Sequence, residues 1–208
     1  RLFIPAMIVL ALGLTWVVAA SATRLYMTEG KSRAEAALGL TIQVLDGHLH
    51  RYEAIPDLLA DQETVRRLVD DPDDAALRGT LNAWLKVKNA TLDSSDIYVM
   101  TPDGVTIAAS NHDKADSFVG QNFSYRPYFI DALAGAKGRF YAIGTITGVR
   151  GYYFAAPVRN QAGQVAGVVA VKIGLEVMEA EWRAQEAQIM VTDPDGIVFM
   201  STDPGWLY

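Results

Sequence analysis

The chain has 208 residues, enough for one well-buried domain with added segments, and half of its residues are hydrophobic. It contains no cysteine, which excludes disulfides and thiolate metal sites, and its formal net charge of −6 argues against nucleic acid as a partner. It begins at Arg1 in place of Met and stops at Tyr208, just after a new strand pattern has started, so a fragment of a longer protein is expected.

Leu2 to Ala22 carries no charged residue and is flanked by Arg1 and Arg24. A run of about 20 apolar residues is the length that crosses a bilayer as a helix, so residues 1–23 are expected to form a transmembrane helix. The rival is a cleaved signal peptide, because Ala20-Ser21-Ala22 resembles a small-residue cleavage site. Either reading places the rest of the chain outside the cytoplasm.

Residues 24–90 are expected to be helical. From Arg24 to about Leu59 there is little turn chemistry, and Leu38, Ile42, Leu45, Leu49 and Tyr52 recur at three- and four-residue steps along one helix face. Such a helix suits a signalling stalk and a dimer contact, and is compatible with ordinary core packing. Two shorter helices follow, one over about Gln62–Val69 that stops near Pro72. The other runs from near Asp73 to about Lys88, with Leu77, Leu81, Trp84, Leu85 and Val87 as its apolar set.

At about residue 91 the period changes. Asp96–Met100 reads as a strand, Thr101-Pro102-Asp103-Gly104 as a turn, and Val105–Ala109 as the returning strand. A polar loop covers residues 111–124, and a short helix runs from Pro127 to Ala136. Three strands follow: Arg139–Ile146, Gly151–Val158 and Val165–Ile173, with turns at Gly148 and at Asn160-Gln161-Ala162-Gly163. Gly174 breaks the last strand, and a helix continues to about Glu186. Ile189–Met200 then repeats the pattern of strand, Pro-Asp-Gly turn and strand. The fold class expected is α+β: a long N-terminal helix, a five-stranded antiparallel sheet with helices on one face, and the truncated start of a second copy of the module. Residues 91–174 would be the first module, and residues 175–208 a connecting helix and the start of the second.

No phosphate-binding glycine loop, nucleophile elbow or Ser/His/Asp set is present, so no catalytic residues are assigned. His48 and His50 lie two apart on a helix and point to different faces, and His112 stands alone in a loop, so no metal site is expected. Charge placement is the exception. Residues 121–175 hold Arg126, Lys137, Arg139, Arg150, Arg159 and Lys172 against Asp131 alone, several beside aromatic and hydroxyl residues. That combination suits a small anionic ligand, because a guanidinium grips a carboxylate through two parallel hydrogen bonds. Lys137, Arg139 and Arg159 lie near turns and read as solvated surface charges. Lys172 closes the strand on the face of Val168 and Ala170, where it either snorkels out at the strand end or meets an anion.

Five runs together carry a family resemblance: Tyr125-Arg126-Pro127-Tyr128-Phe129, Tyr141-Ala142-Ile143-Gly144-Thr145, Gly148-Val149-Arg150-Gly151-Tyr152-Tyr153, Pro157-Val158, and Gly167-Val168-Val169-Ala170-Val171-Lys172. Over roughly residues 25–208 the chain resembles the sensing region of C4-dicarboxylate sensor histidine kinases of the DctB type. The resemblance implies a double PAS-like (double Cache) sensor between two membrane helices in the bacterial inner membrane. Residues after about 24 would then lie in the periplasm, and residues 91–174 would be the membrane-distal, ligand-binding module. It implies a C4-dicarboxylate ligand (succinate, fumarate or malate) held by Arg126 and Lys172, with Ser124, Tyr128, Thr145 and Thr147 as further contacts and the loop 111–124 closing over it. It also implies a homodimer through the stalk helix, and a response regulator reached through a kinase domain outside this chain. ATP and Mg would be needed only there, and no cofactor is expected in this fragment. Ala155-Ala156 stands where a more polar pair is expected. The same sensor module on a chemoreceptor or a diguanylate cyclase, sensing another small carboxylate or an amino acid, is the alternative.

Overall fold

A computed structural model describes residues 3–183, 188–193 and 195–207, without the side chains of residues 3–6, 8–11, 177, 178 and 181. The chain divides into two compact units, residues Arg1–Gly47 and His48–Tyr208. The first is occupied by helix α1, which spans Phe3–Glu53. Exposed ion pairs one turn apart, Arg33–Glu29 at 2.5 Å and Lys31–Glu35 at 3.7 Å, line its surface. Leu38 and Ile42 of the expected apolar face are both exposed. Among the described residues no helix is long and apolar enough to cross a membrane. The span expected at 1–23 falls in part on residues outside the description.

In the second unit the long helix ends before the expected Leu59. Pro56 has no N–H to donate to the carbonyl of Tyr52, and its ring clashes with a continued helix. The chain therefore turns at Ala54 and restarts as α2 (Ile55–Ala60), where Pro56 occupies a tolerated early position. Helix α3 (Glu63–Asp70) and helix α4 (Ala75–Leu92) follow. The Asp74 side chain caps α4 by accepting from Leu77 N at 2.8 Å, and Asp93 ends it in the left-handed conformation. Leu77, Leu81, Trp84 and Leu85 pack on the core as expected, whereas Val87 is exposed.

The sheet has five antiparallel strands: β1 (Asp96–Met100), β2 (Thr106–Ala109), β3 (Gly138–Ile143), β4 (Arg150–Arg159) and β5 (Val165–Gly174), in the order 2-1-5-4-3. The last strand thus pairs with the first and stands at the centre, which is why Val168–Val171 read as one apolar run. Its alternate residues serve two cores. Val169, Val171 and Ile173 face Tyr52 and helices α2–α4, while Val168 and Ala170 face helix α5 (Pro127–Leu133) and the aromatics of the 111–124 loop. The expectation of helices on one face is corrected here: α5 crosses to the other side. Its buried residues Tyr128, Phe129 and Ala132 cover the sheet's second apolar surface.

Helix α5 and β3 approach so closely at Gly138 that a methyl there would fall onto the carbonyl of Tyr128. Gly138→Ala is therefore expected to destabilise the fold by about 1–3 kcal/mol, as overpacked cores do, measured as a fall in the urea midpoint at unchanged slope.

After β5, helix α6 (Glu176–Arg183) leads to a separate hairpin of β6 (Met190–Thr192) and β7 (Val198–Ser201). The expected repeat extends beyond the turn. Gly104 and Gly196 both take positive φ, at 82° and 85°, where glycine has no Cβ to clash. Thr101 Oγ1 accepts from Val105 N as Asp193 Oδ1 accepts from Ile197 N. Each hairpin also slips register by one residue just before its turn, leaving Ile107 and Phe199 as equivalent bulge residues.

The second hairpin is tied to the first sheet by a buried ion pair. Arg150 on β4 holds Glu179 of α6 with both nitrogens, Nη1–Oε1 at 2.6 Å and Nη2–Oε2 at 2.7 Å. Arg150 Nη1 also donates to Phe199 O at 2.7 Å, and Glu179 Oε1 accepts from Ser201 N at 3.1 Å. Burial pushes the Glu179 carboxyl up, but the hydrogen bonds from Arg150 and Ser201 outweigh it and hold the group below the usual carboxylate range. Beside this pair Tyr141 stacks on Phe199 and its hydroxyl donates to Asp193 at 2.6 Å.

Candidate functional site

On the face of the sheet that carries α5, two buried cations approach one aromatic-lined cavity. Arg126 is the last extended residue before α5, and Pro127 starts the helix behind it. Its side chain, 9% exposed, donates one hydrogen bond to Ile143 O at 3.0 Å and lies over the Tyr125 ring. Two residues further, in the first turn of α5, Tyr128 stacks flat on Tyr153, 5.0 Å between centroids, and shares a 2.7 Å hydrogen bond with the Tyr98 hydroxyl. Burial raises the pKa of all three phenols, Tyr153 to about 12 and Tyr98 well beyond its ordinary value. Each therefore keeps its proton at neutral pH, and the bond between Tyr98 and Tyr128 takes up one of these three protons.

Lys172 stands on β5 beside Tyr153 of β4. It is 1% exposed, so it does not snorkel to bulk water. Its stem lies over Gly151, where a Cβ would come within 2.6 Å of Cε, and its amine donates to Thr147 Oγ1 at 3.2 Å. Burial lowers its basicity, against the pull of Asp96 and Glu176. An ammonium has three hydrogens and a guanidinium five, and here each group makes a single hydrogen bond among the described residues. Their remaining donors are open to an anion, which would offset the cost of holding two cations in largely buried residues.

The cavity between them is bounded by Tyr98, Tyr128 and Tyr153, by Phe118 and Phe123 of the 111–124 loop, by Arg126, and by Gly144, Thr145 and Ile146 of the β3–β4 turn. The Lys172 amine adjoins it beside Gly144 and Tyr153. About 10 Å³ is open to the centre of a water, room for roughly one molecule. A larger ligand enters only if the loop or the turn moves.

The structure brings most of the expected site residues together. Tyr128 and Thr145 line the cavity, and Thr147 reaches Lys172. Thr145 and Thr147 lie in a turn, which corrects Thr145, expected in a strand running to Ile146. That strand ends at Ile143, where Gly144 N bonds Val149 O and Gly148 takes positive φ. Ser124 stands apart: it is exposed, with its backbone packed at Gly104. Lys137 pairs with Asp57 at 2.7 Å and Arg139 with Glu53, while Arg159 donates to Gly163 O, so these three are surface charges as read. Sequence reasoning missed Tyr98, Tyr153 and Asp96. Each shares the Lys172 face of its strand, a signal that alternation gives only once the strand order is known.

No family model matches the chain. The C4-dicarboxylate transport sensor protein DctB of Pseudomonas aeruginosa is 35% identical over 195 residues, covering 94% of this chain and 32% of that protein. The protein of the same name from Rhizobium meliloti is 31% identical over 179 residues, covering 86% of this chain and 28% of its own length. The chain thus spans about a third of the length of these curated relatives. The crystal structure of the V. cholerae histidine kinase DctB sensor domain matches with a TM-score of 0.82 at 32% identity, over 85% of this chain and 68% of that one. With the sheet, the helices and most of the length of that sensor domain in common, the chain belongs to the DctB family and is a sensor domain of that type.

Proposed function

We propose that this sensor domain binds a C4-dicarboxylate outside the cytoplasm and signals across a bacterial inner membrane to a histidine kinase. The observation that carries the reading is a pair of buried cations at one tyrosine-lined cavity: Arg126 lines it, Lys172 adjoins it, and neither has an anionic hydrogen-bond partner among the described residues. Arg126 would grip one carboxylate, Lys172 with Thr147 the other, and the protonated tyrosines and Thr145 would complete the shell. Residues 91–174 act as the ligand-binding module, and residues 175–208 as the connection to the start of a second. The exposed Leu38 and Ile42 fit a helix that pairs with its copy in a homodimer. A response regulator, with ATP and Mg, belongs to the kinase stage.

A cavity with room for roughly one water must widen to admit a dicarboxylate, which gives the ligand two states to discriminate between, as signalling requires. A micromolar ligand has about 8 kcal/mol of binding free energy, and roughly 2–3 kcal/mol used differentially shifts a balanced equilibrium strongly. Calorimetric titration with succinate, fumarate, malate, acetate and an amino acid tests the ligand class. Saturable binding of the dicarboxylates alone is expected. Equal binding of acetate or of the amino acid would overturn the dicarboxylate assignment.

A further inference from the structure

Asp96 begins β1 directly across the ladder from Lys172, and Lys172 is in turn paired with Tyr153 of β4. The three side chains therefore form a row across adjacent strands on the face that holds the cavity. Asp96 is 7% exposed, yet its carboxylate accepts no hydrogen bond among the described residues, and the Lys172 amine bonds Thr147 instead. A carboxylate and an ammonium thus face each other across the ladder, in residues that are largely buried, without closing an ion pair. We propose that Asp96 is a specificity-determining residue of the site: protonated, it leaves the pocket two positive charges, matched to a dianion, and ionised, it leaves one. Dianion capture then tightens as the solution is acidified, and the site discriminates by ligand charge.

The groups that act on Asp96 are Lys172 from β5, Lys114 and Asp116 from the 111–124 loop, and Tyr153 from β4; Arg126 and Glu176 act on Lys172. Burial raises Asp96 to about 6, against the pull of Lys172 and Lys114, so its proton is exchanged close to neutral pH. Removing one negative charge at neighbour distance in a partly screened interior is worth about tenfold in affinity for a dianion.

This inference rests on the dicarboxylate reading, and one experiment separates the two. Fumarate is titrated calorimetrically into the full chain and into its Asp96→Asn variant from about pH 5.5 to about pH 8, a range in which fumarate remains a dianion. The wild type is expected to gain about tenfold in affinity towards the acid end. The variant, isosteric and without the buried charge, is expected to bind about tenfold tighter at the alkaline end and to show no slope. Parallel slopes in the two proteins, or weaker binding by the variant at alkaline pH, would overturn the role of Asp96 and leave the dicarboxylate reading in place. Silence of the folded wild type at every pH would overturn both.

Discussion

Arg126→Ala is expected to lower dicarboxylate affinity by about 2–5 kcal/mol, roughly thirtyfold or more, with little loss of fold stability. The guanidinium caps nothing and makes one hydrogen bond, to the Ile143 carbonyl at the rim of the cavity. Its value to the apo protein is therefore small, and its value to an anion is a two-point, charge-assisted grip. Arg126→Lys should rescue poorly, because a point charge on a flexible stem cannot supply two parallel donors. Lys172→Met separates function from stability further. Burial already disfavours the Lys172 charge, so replacing it with an apolar chain of similar length should raise the melting temperature while dicarboxylate binding falls. Calorimetry and thermal melts on the same samples measure both. Unchanged affinity in Arg126→Ala would remove the cavity from consideration as the ligand site.

The outline of this fold is written in local chemistry. The two Pro-Asp-Gly turns, the proline that starts α5 and the switch from helical to strand period near residue 91 all act within a few residues of themselves, and each element they predicted is present. What escaped depends on pairing between distant strands. Lys172 was visible as a charge at the end of an apolar strand, but whether it reached water depended on Gly151 of β4 and the turn beyond Gly144. Asp96 looked like the first residue of a strand, and acquires chemistry only because β5 returns to lie beside β1. Ser124 lies beside Arg126 in sequence yet turns outward, because Asn122 holds its amide and Gly104 its backbone. Adjacency to a site residue was a poor guide, and the shared face of a strand was a good one.

Arg150 and Glu179 are separated by 29 residues and nothing in the sequence links them, yet their pair supports the second large expectation. Arg150→Met should destabilise the contact between the first sheet and the β6–β7 hairpin by about 2–3 kcal/mol, because it leaves a fully buried carboxylate with one hydrogen bond, from Ser201 N, and with Arg183 at 3.6 Å as its remaining cation. The double variant Arg150→Met with Glu179→Leu should recover much of that loss, since removing both charges also removes the desolvation cost. The pH dependence has a definite sign. The folded Glu179 holds its proton less tightly than an ordinary glutamate, so its contribution is present above the usual carboxylate range and is lost as pH falls through its lowered value. Asp96 acts in the opposite sense: its raised value makes ionisation cost stability, and that cost appears as pH rises through about 6. Mild acid therefore relieves the ligand pocket before stronger acid loosens the joint. The joint lies on the hairpin whose turn carries Thr145 and Thr147, so β3–β4 connects the cavity to the second hairpin through one rigid ladder. Amide exchange at residues 198–201 should accelerate in Arg150→Met, while dicarboxylate affinity stays within about threefold of wild type. Loss of binding in step with the faster exchange would mean instead that the joint holds the pocket together and does not carry its signal onward.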